Sequence, residues 1–356
     1  MKNIYVKLAE ALQENSGFVL ATVTGTEGST PQKPGSSAWL DGSTLIAGTV
    51  GGGSVEGKVQ RYAGICSASK KSAYLSYDMD SDETEGDCPI CGGTITMLID
   101  ADPLKSHQVF KELGKSLASG TPGVLITGIT AADELDVTIN RYWATGVADP
   151  LLPGQFKEIL THEVRNILSS PSNKSYRQLD LPVPGEKQTA RFFLEPVFPL
   201  PRLVIAGAGH VGRALSIIGK MLDFEVIVID DREEFANPDN LPAADQIICK
   251  NITDAIREIR KDTNTYIVIV TRGHRDDANA LKQCIGSEAG YIGMMGSKTK
   301  VAKVHDDFIK NQWATEEQWQ KVHTPIGLKI GSVTVEEIAV SIAAQLVLQR
   351  SLNLNR

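Results

Sequence analysis

The stretch RLVIAGAGHVGRAL at residues 202–215 decides the fold of the second half of the chain. A short apolar run leads into Gly207, Gly209 and Gly212, and a helix-forming sequence follows. Glycines at this spacing permit a tight turn and let a pyrophosphate approach the N-terminus of the helix. We predict that this stretch forms the first strand, turn and helix of a dinucleotide-type domain.

Apolar runs and helical patterns alternate from this stretch to the C-terminus. We predict strands at 202–206, 224–230, 246–249, 265–271 and 290–294, and helices at 210–222, 252–261, 276–285 and 298–311. This rhythm is typical of a doubly wound parallel sheet. Thr334 and Glu337 have the spacing of a capping box at the start of a last, core-packing helix.

The first half of the chain has a mixed pattern. An amphipathic helix opens it, and the loop at 26–40 is rich in turn residues. We predict strands at 18–25, 43–50, 74–80, 93–100, 123–129 and 136–145, helices at 51–66 and 104–119, and a connection or exposed hairpin at 169–188. The fold class is therefore α/β: an N-terminal mixed α/β domain at 1–197, followed by a C-terminal Rossmann-like domain with a doubly wound parallel sheet at 198–356.

Composition restricts the function classes. With 356 residues and 42% hydrophobic side chains, the chain is long enough and apolar enough for two cores. The net charge of −7, without a basic stripe, argues against nucleic-acid binding. We also expect no membrane span, because the apolar segment at 338–348 is too short. Five cysteines without an export signal indicate reduced thiols in the cytoplasm.

The second half offers residues for an anionic ligand at the carboxyl edge of the predicted sheet. Asp230 or Asp231 could hold ribose hydroxyls, and the neighbouring Arg232 would accommodate a 2′-phosphate. The loops at 271–281 and 295–301 should reach the same edge. The candidate ligand-binding residues on these loops are Arg272, His274, Arg275, Ser297, Lys298 and Lys300. His210, next to Gly209, is a further candidate. We expect Asp276 and Asp277 to cap the following helix. The glycines can also serve strand–helix packing alone, so a bound NAD(P) or other nucleotide stays open.

The first half contains a second glycine-rich helix start, GTVGGGSVEGK at 48–58. Backbone N–H groups of Gly51, Gly52 and Gly53 can point at an anion, and Glu56 is a candidate acid–base or ligand-gripping group. The loop DCPICGG at 87–93 supplies Cys88 and Cys91, half of a zinc site at most and a plausible reactive thiol. The three other cysteines lie in apolar patterns and are predicted to be core residues: Cys66, Cys249 and Cys284.

A dehydrogenase needs a proton donor beside its hydride acceptor. His210, His274 and His323 are available, but no pair of motifs completes such a site. The dehydrogenase interpretation therefore depends on the fold alone.

Taken together, the motifs resemble the xanthine dehydrogenase accessory protein family, also called XdhC/CoxI. The matching segments occur in family order and span both halves: GSTPQKPG, GTVGGGSVE, CGGTITMLID, FLEPVFPLPRLVIAGAGHVGRAL, VIVIDDREEFAN, VTRGHRDDANAL, YIGMMGSKTKV and HTPIGLKIGSVTVEEIAVSIAAQLV. Three departures stand out: Gln32 replaces an expected Arg, so that Lys33 would supply the charge; Cys88 is extra; and Asp100 replaces an expected Glu.

The resemblance implies a maturation factor. Such a protein binds the molybdenum cofactor (molybdopterin), meets a cysteine desulfurase that supports sulfuration, and inserts the cofactor into a xanthine dehydrogenase-type molybdoenzyme of purine catabolism. Cys91 would be the thiol that faces the metal, as a possible molybdenum-cofactor ligand. We also expect a homo-oligomer. The alternatives are an NAD(P)-dependent oxidoreductase that uses Gly207–Gly212, and a scaffold that binds no cofactor.

Overall fold

The computed structural model describes residues 4–11, 17–79, 93–146, 152–169, 176–183, 185 and 189–354. The chain divides into two compact units, Met1–Pro199 and Leu200–Arg356. Each unit is built around sheets of its own.

The first unit is a mixed α/β structure. Its strands are β1 (Phe18–Gly28), β2 (Ser37–Asp41), β3 (Thr44–Gly48), β4 (Ala73–Asp78), β5 (Gly93–Asp100), β6 (Gly123–Asp133), β7 (Asp136–Ala144), β8 (Arg177–Pro182) and β9 (Thr189–Val197). Its helices are α1 (Ile4–Ala11), α2 (Gly53–Ser69), α3 (His107–Ala118) and α4 (Lys157–Ser169). The strands form two antiparallel sheets, in the orders β3-β2-β1-β5-β4 and β7-β6-β9-β8.

Strand alternation distributes the core of this unit between the faces of the sheets. Along β1, Val19, Ala21 and Val23 face the cluster that α2 covers, whereas Leu20 faces the cluster of α1 and α3. This is the period of two that a strand with two covered faces requires. The helix α4 covers the second sheet through its buried residues Leu160, Val164 and Ile167.

The second unit has the Rossmann-like architecture that the sequence predicts. Its strands are β10 (Arg202–Ala206), β11 (Glu225–Asp230), β12 (Gln246–Cys249), β13 (Thr265–Ile269) and β14 (Tyr291–Met294). All of them pair in parallel, in the order β12-β11-β10-β13-β14. The order reverses between β10 and β13, which is where ligands enter doubly wound sheets.

Helices cover both faces of this parallel sheet. They are α5 (His210–Met221), α6 (Ile252–Glu258), α7 (His274–Lys282), α8 (Lys298–Lys310), α9 (Glu316–Gln320) and α10 (Val335–Leu354). One apolar cluster joins the sheet to α5 and α10, and another joins its opposite face to α6, α7 and α8. The strands are consequently buried on both sides, which explains their nearly continuous apolar sequences.

Four elements were missed in the sequence, one of them the strand β9, for which no strand was predicted. The strand β2 lies in the segment taken as part of a turn-rich loop, α4 was not assigned although Leu160, Val164 and Ile167 recur at helical spacing, and the short helix α9 carries no buried residue. The segment at 169–188 contributes β8, which pairs antiparallel with β9, so only one strand of the pair lies within the segment predicted as a connection or exposed hairpin. The capping box is confirmed, because Glu337 N donates to Thr334 Oγ1 at 3.2 Å and Thr334 N donates to Glu337 Oε2 at 2.9 Å.

Candidate functional site

Four helices of the second unit begin at the carboxyl edge of the parallel sheet: α6 follows β12, and the other three follow the strands whose loops were predicted to bind a ligand. The helix α5 follows β10, α7 follows β13, and α8 follows β14. Because β10 and β13 are neighbours, the starts of α5 and α7 lie on either side of the point where the strand order reverses. Helix N-termini present unpaired N–H groups and a partial positive charge, so this edge is suited to an anion.

The glycine fingerprint after β10 consists of Gly207, Gly209 and Gly212, and these glycines have different structural roles. A Cβ at Gly207, whose φ is +115°, would lie 2.5 Å from Val270 O, and a Cβ at Gly212 would lie 1.9 Å from Gly207 O. Packing alone therefore excludes a side chain at both positions. At Gly209, by contrast, a Cβ would meet no described atom within 4 Å. The middle glycine thus leaves open space in front of α5, where a ligand can approach the backbone.

Both carboxylate oxygens of Asp230 accept hydrogen bonds from within the protein. Its carboxylate accepts from Ala208 N at 2.7 Å, and from the N, Nε and second Nη of Arg232 at 2.8–3.1 Å. Burial would raise the pKa of Asp230, but the hydrogen bonds from Arg232 and Ala208 outweigh it and lower the pKa below its ordinary value. A ribose would have to displace one of these donors, so the geometry gives Asp230 the task of holding the glycine turn.

Asp231 and Arg272 meet across the edge of the sheet. Arg272 lies 3.4 Å from the carboxylate of Asp231 and 3.8 Å from that of Asp276. Both partners of the first pair are exposed, so the pair is weakly held and can open to a ligand. Of the residues predicted on these loops, Asp231 and Arg272 are thus brought together.

Asp277 was predicted to cap α7 but lies buried at the centre of the edge. Its carboxylate accepts from Thr271 N and Thr271 Oγ1, at 3.1 and 2.6 Å, and forms an ion pair with Lys300. Burial raises the pKa of Asp277, although Lys300 and Thr271 lower it. The ammonium group of Lys300 is therefore already paired with a buried carboxylate of the protein. Its availability for a ligand is correspondingly reduced.

The remaining basic side chains of this edge lie at the helix starts. His210 and Arg213 are exposed in the first turn of α5, and Lys298 begins α8, where Ser297 accepts from Lys300 N as the N-cap. Arg275 is exposed in the first turn of α7; His274 begins that helix, and its side chain lies outside the described residues. Sequence reasoning missed Arg213, although its position three residues after His210 places both on one face of α5.

The glycine-rich loop of the first unit has the backbone conformation that glycine permits. Gly51, Gly52 and Gly53 have φ values of +142°, +69° and +54°, and α2 begins at Gly53 without a side-chain cap. A Cβ at Gly52 would lie 4.0 Å from Glu56 Oε2, so the Glu56 carboxylate turns back towards the start of its own helix. The helix dipole stabilises this placement. It also puts a hydrogen-bond acceptor beside the glycine-rich loop, in which Gly51 N donates to Thr49 Oγ1 at 3.3 Å.

The loop at 29–31 lies between the glycine-rich loop and the first residue of β5. A Cβ at Gly51 would lie 3.1 Å from Pro31, and a Cβ at Gly93 would lie 3.0 Å from Ser29 O. The loop at 29–31 therefore touches both the glycine-rich loop and the first residue of β5. Gly93 ends the Cys-Gly-Gly motif, whereas Cys88 and Cys91 lie outside the described residues.

The side chain of the neighbouring Gln32 forms a hydrogen bond within its own loop. Its side-chain oxygen accepts from Ser36 Oγ at 2.9 Å. Lys33, the next residue, is exposed on the same loop. Lys33 is thus the cation that this loop offers to solvent.

A buried polar cluster in the first unit was not predicted. Tyr5 donates to Glu195 at 2.5 Å, and Arg141 forms a buried ion pair with Asp100 and donates to Ser106. Burial raises the pKa of Glu195 to about 7, while the hydrogen bond from Tyr5 and the charge of Arg141 lower it. Asp100, which departs from the family pattern, is therefore a structural partner of Arg141.

The described cysteines differ in exposure. Burial, with a smaller contribution from Asp100, raises the pKa of Cys66 to about 11, and burial raises that of Cys284 to about 12 although Lys261 lowers it. Both are core thiols, as predicted, and are held in the unreactive protonated form. The prediction for Cys249 is wrong, because this residue ends the edge strand β12 and is exposed.

Two absences apply to the described part of the chain. It contains no group of three or more His, Cys, Asp or Glu side chains that could hold a metal ion. None of its helices combines the length and the apolarity that crossing a membrane requires.

Comparison with known proteins places these features in a family. The model of the XdhC Rossmann domain matches residues 203–346, and that of the XdhC and CoxI family matches residues 11–78. A protein of Bacillus subtilis (strain 168), named as a probable xanthine dehydrogenase subunit, is 25% identical over 352 residues, which are 98% of this chain and 98% of that protein.

Two further similarities extend the comparison. The uncharacterized protein YqeB of Escherichia coli (strain K12) is 29% identical over 148 residues, which are 41% of this chain and 27% of that protein. A crystal structure of a xanthine dehydrogenase from Bacillus halodurans has a TM-score of 0.74 at 22% identity and covers 98% of this chain and 96% of that one. At this identity the last similarity concerns the fold. The two family matches, in chain order and in separate units, show that the chain belongs to the XdhC and CoxI family.

Proposed function

We propose that this protein is a maturation factor that binds the molybdenum cofactor and delivers it to a xanthine dehydrogenase-type enzyme. The family and the name of the Bacillus subtilis relative support the link to such an enzyme. One observation carries the cofactor part of the proposal. The loop at 29–31 touches both the glycine-rich start of α2 and Gly93 of the Cys-Gly-Gly motif.

The residues at this place suit the chemistry of the cofactor. Molybdopterin has an anionic phosphate, a pterin ring with N–H groups, and a soft metal–sulfur centre. The backbone amides of Gly52 and Gly53 would hold anionic groups, the Glu56 carboxylate would accept from N–H groups, and a thiolate at Cys91 would face the metal. When bound, the cofactor supplies the metal–sulfur centre that the client enzyme needs.

The proposal includes two partners and a compartment. The client is a xanthine dehydrogenase-type enzyme, and a cysteine desulfurase supplies sulfur while the cofactor is held. The cytoplasm is the compartment, since the described cysteines are free thiols and two of them are buried.

The rival function, hydride transfer with NAD(P) at Gly207–Gly212, receives less support from the geometry. Asp230, the residue that would read the ribose, already accepts hydrogen bonds from Arg232 and Ala208. The open space at Gly209 is compatible with a phosphate-bearing ligand of either kind. A direct binding experiment separates the two.

The experiment incubates the purified full chain with molybdopterin cofactor, and separately with NAD(P). Pterin fluorescence retained after gel filtration and dinucleotide affinity are measured. We expect retained pterin, and a loss of affinity of at least about tenfold in Cys91→Ala, which corresponds to ~1.4 kcal/mol. The matched control is Cys249→Ala, which removes an exposed thiol from the second unit and should bind like the parent.

Two outcomes would overturn the assignment. If no pterin is retained while NAD(P) binds at micromolar concentration, the protein is a nucleotide-dependent enzyme. If neither ligand binds but the client enzyme does, the protein is a scaffold. Gly209→Ala tests the second unit, because the added methyl group meets no described atom and should leave the fold intact. Unchanged binding in this variant would limit the fingerprint to a structural role.

A further inference from the structure

The first helix of the chain, α1, touches the base of the glycine-rich loop. A Cβ at Gly48, whose φ is +84°, would lie 2.9 Å from Ile4 Cδ1 and 2.1 Å from Ser37 O. Thr49 N donates to Ser37 O at 3.0 Å, and Gly51 N donates to Thr49 Oγ1 at 3.3 Å. Ile4 and Ser37 therefore enclose Gly48 and set the point from which the glycine-rich loop leaves β3.

A buried hydrogen bond holds α1 in this position. Tyr5, next to Ile4, is 3% exposed and donates to Glu195 of β9 at 2.5 Å. The hydroxyl of Tyr5 also interacts with Ser37, whose carbonyl oxygen accepts from Thr49 N. Tyr5 thus connects Glu195 with the residue that anchors the base of the loop.

The groups that interact with the Glu195 carboxyl come from α1, from β7 and from the residue before β8. They are Tyr5, Arg141 and Tyr176, and Arg141 is itself paired with Asp100 of β5. Burial raises the pKa of Glu195 to about 7, whereas Tyr5 and Arg141 lower it. Because Tyr5 contacts the carboxyl directly, releasing α1 would expose this group and return its pKa towards the ordinary value of 4.5.

We propose that Tyr5 and Glu195 are positioning residues of the cofactor site: their hydrogen bond holds α1 in place, and α1 fixes the shape of the glycine-rich loop that would present its amides to the ligand. The connection runs through Ile4 and Ser37, so neither positioning residue needs to contact the ligand. The inference rests on the proposed function for the identity of the ligand. The coupling of α1 to the loop concerns this chain alone and can be measured without a cofactor.

Ionisation of Glu195 should determine how firmly α1 is held. The pKa of Glu195 is about 7 with α1 in place, and the ordinary value is 4.5. A group whose pKa is raised in the closed form stabilises that form at low pH and loses this effect as the pH rises through the raised value. Between pH 6 and pH 8, release of α1 should therefore become about tenfold more favourable.

Hydrogen–deuterium exchange of the purified full chain measures the coupling directly. The amides of Thr49 and Gly51 are hydrogen-bonded, so their protection, read by mass spectrometry and corrected for the intrinsic effect of pH, reports on the loop. We expect Tyr5→Phe to lower this protection about tenfold at pH 6, since α1 loses a buried hydrogen bond. The matched control is Tyr291→Phe, which removes a buried tyrosine hydroxyl from the second unit and should leave the loop unchanged.

The pH profile separates positioning from a general loss of stability. In the parent protein, protection of the loop should fall about tenfold from pH 6 to pH 8. Glu195→Gln, whose side chain cannot ionise, should show the same protection at both pH values. Ile4→Ala keeps the hydroxyl of Tyr5 and the carboxyl of Glu195 but removes the contact with Gly48, and should lower protection about threefold. It serves as the second variant if Tyr5→Phe does not fold by circular dichroism.

Unchanged protection of the loop in the folded variants would overturn the proposal, as would the same pH profile in the parent protein and in Glu195→Gln. Cofactor binding is a separate measurement, in which Tyr5→Phe should bind molybdopterin cofactor at least about threefold more weakly than the parent and Tyr291→Phe. A parent that retains no pterin, with exchange in the expected order, would refute cofactor binding but support the coupling of α1 to the loop. A parent that binds pterin, with unaltered exchange in Tyr5→Phe and Ile4→Ala, would support the proposed function and overturn this inference.

Discussion

At the scale of single residues, two buried carboxylates, those of Asp230 and Asp277, hold loops of the second unit in place. Asp230 holds Ala208 N in the glycine turn and the guanidinium of Arg232, which lies 3.8 Å above the ring of Phe235. Asp277 in the same way joins the loop at Thr271 to Lys300. Breaking one partner of such a pair leaves a buried charge without compensation, which is strongly destabilising. These carboxylates therefore determine the shape of the loops at the carboxyl edge of the sheet.

Glu195 should make the stability of the first unit depend on pH. Its folded pKa of about 7 is raised above the ordinary value of 4.5 by burial, so the folded state holds the proton more tightly than the unfolded state. The stability from this group is fully present below pH 4.5 and is lost as the pH rises through 7. In Glu195→Gln this loss disappears. The difference in Tm between variant and parent should therefore grow from pH 4.5 to 7.5 and then level off.

Tyr5→Phe is the complementary variant for this pH dependence. The hydrogen bond from Tyr5 lowers the pKa of Glu195. Removing the hydroxyl should therefore shift the midpoint of the stability change to higher pH. A parent protein whose Tm follows the same pH profile as Glu195→Gln would contradict the assignment. The measurement is thermal unfolding by circular dichroism at half-unit pH intervals.

At the scale of elements, the segment TPIGLKIG protects the edge of the parallel sheet. His323, directly before this segment, donates from its N to Ile292 O and accepts from Met294 N, which forms a single parallel bridge beside β14. Within the segment, Ile326 N donates to Met294 O. Gln345 of α10 then accepts from Gly327 N at 2.8 Å and from Tyr291 OH at 2.6 Å. An exposed edge invites association with other strands, so this cover has a clear physical purpose.

Gln345→Ala should therefore lower the free energy of unfolding by about 2 kcal/mol, because the hydroxyl of the buried Tyr291 would lose its acceptor. The measurement is urea unfolding followed by tryptophan fluorescence and circular dichroism. The double variant Tyr291→Phe, Gln345→Ala supplies the control. It should cost less than the sum of the two single variants, since both partners of the bond are then absent. Additive losses would show that the bond between the two side chains contributes nothing.

The sequence predicted elements well where burial dictates their pattern. All five strands of the second unit are nearly continuous apolar runs, because helices cover both faces of the sheet. The strand β2 was missed because Ala38, Trp39 and Leu40 follow a loop rich in Pro, Gly and Ser. Cys249 was misjudged because its apolar neighbours do not reveal that β12 is an edge strand.

The same limit applies to the candidate site. The sequence placed the loops after β10, β13 and β14 at one edge, since topology alone determines that. It could not show that Lys300 is paired with Asp277, or that Asp230 is paired with Arg232. Ion pairing depends on distances in space, and these partners are 23 and 2 positions apart in the sequence. Residue type identified the cations, but only the structure distinguishes those that are already neutralised.

At the scale of the whole molecule, the chain consists of two units with separate cores. Hydrogen bonds at the start of the second unit join its own residues, since Arg202 N donates to Asn264 O and Glu225 N donates to Pro201 O. Both faces of its sheet are covered by its own helices. A compact unit of this kind has what a domain needs to fold alone.

Residues 200–356, expressed without the rest of the chain, should therefore fold cooperatively. We expect a near-ultraviolet circular dichroism signal and a single urea transition. The fragment 200–331 is the matched control, because it lacks α10 and exposes the face that this helix covers. Burial of Ile342 and Leu346 contributes about 1.5–3 kcal/mol for each side chain, so the shorter fragment should lose fixed tertiary packing. If the longer fragment also lacks a cooperative transition, the second unit depends on the first for its stability, and the two cores are not independent.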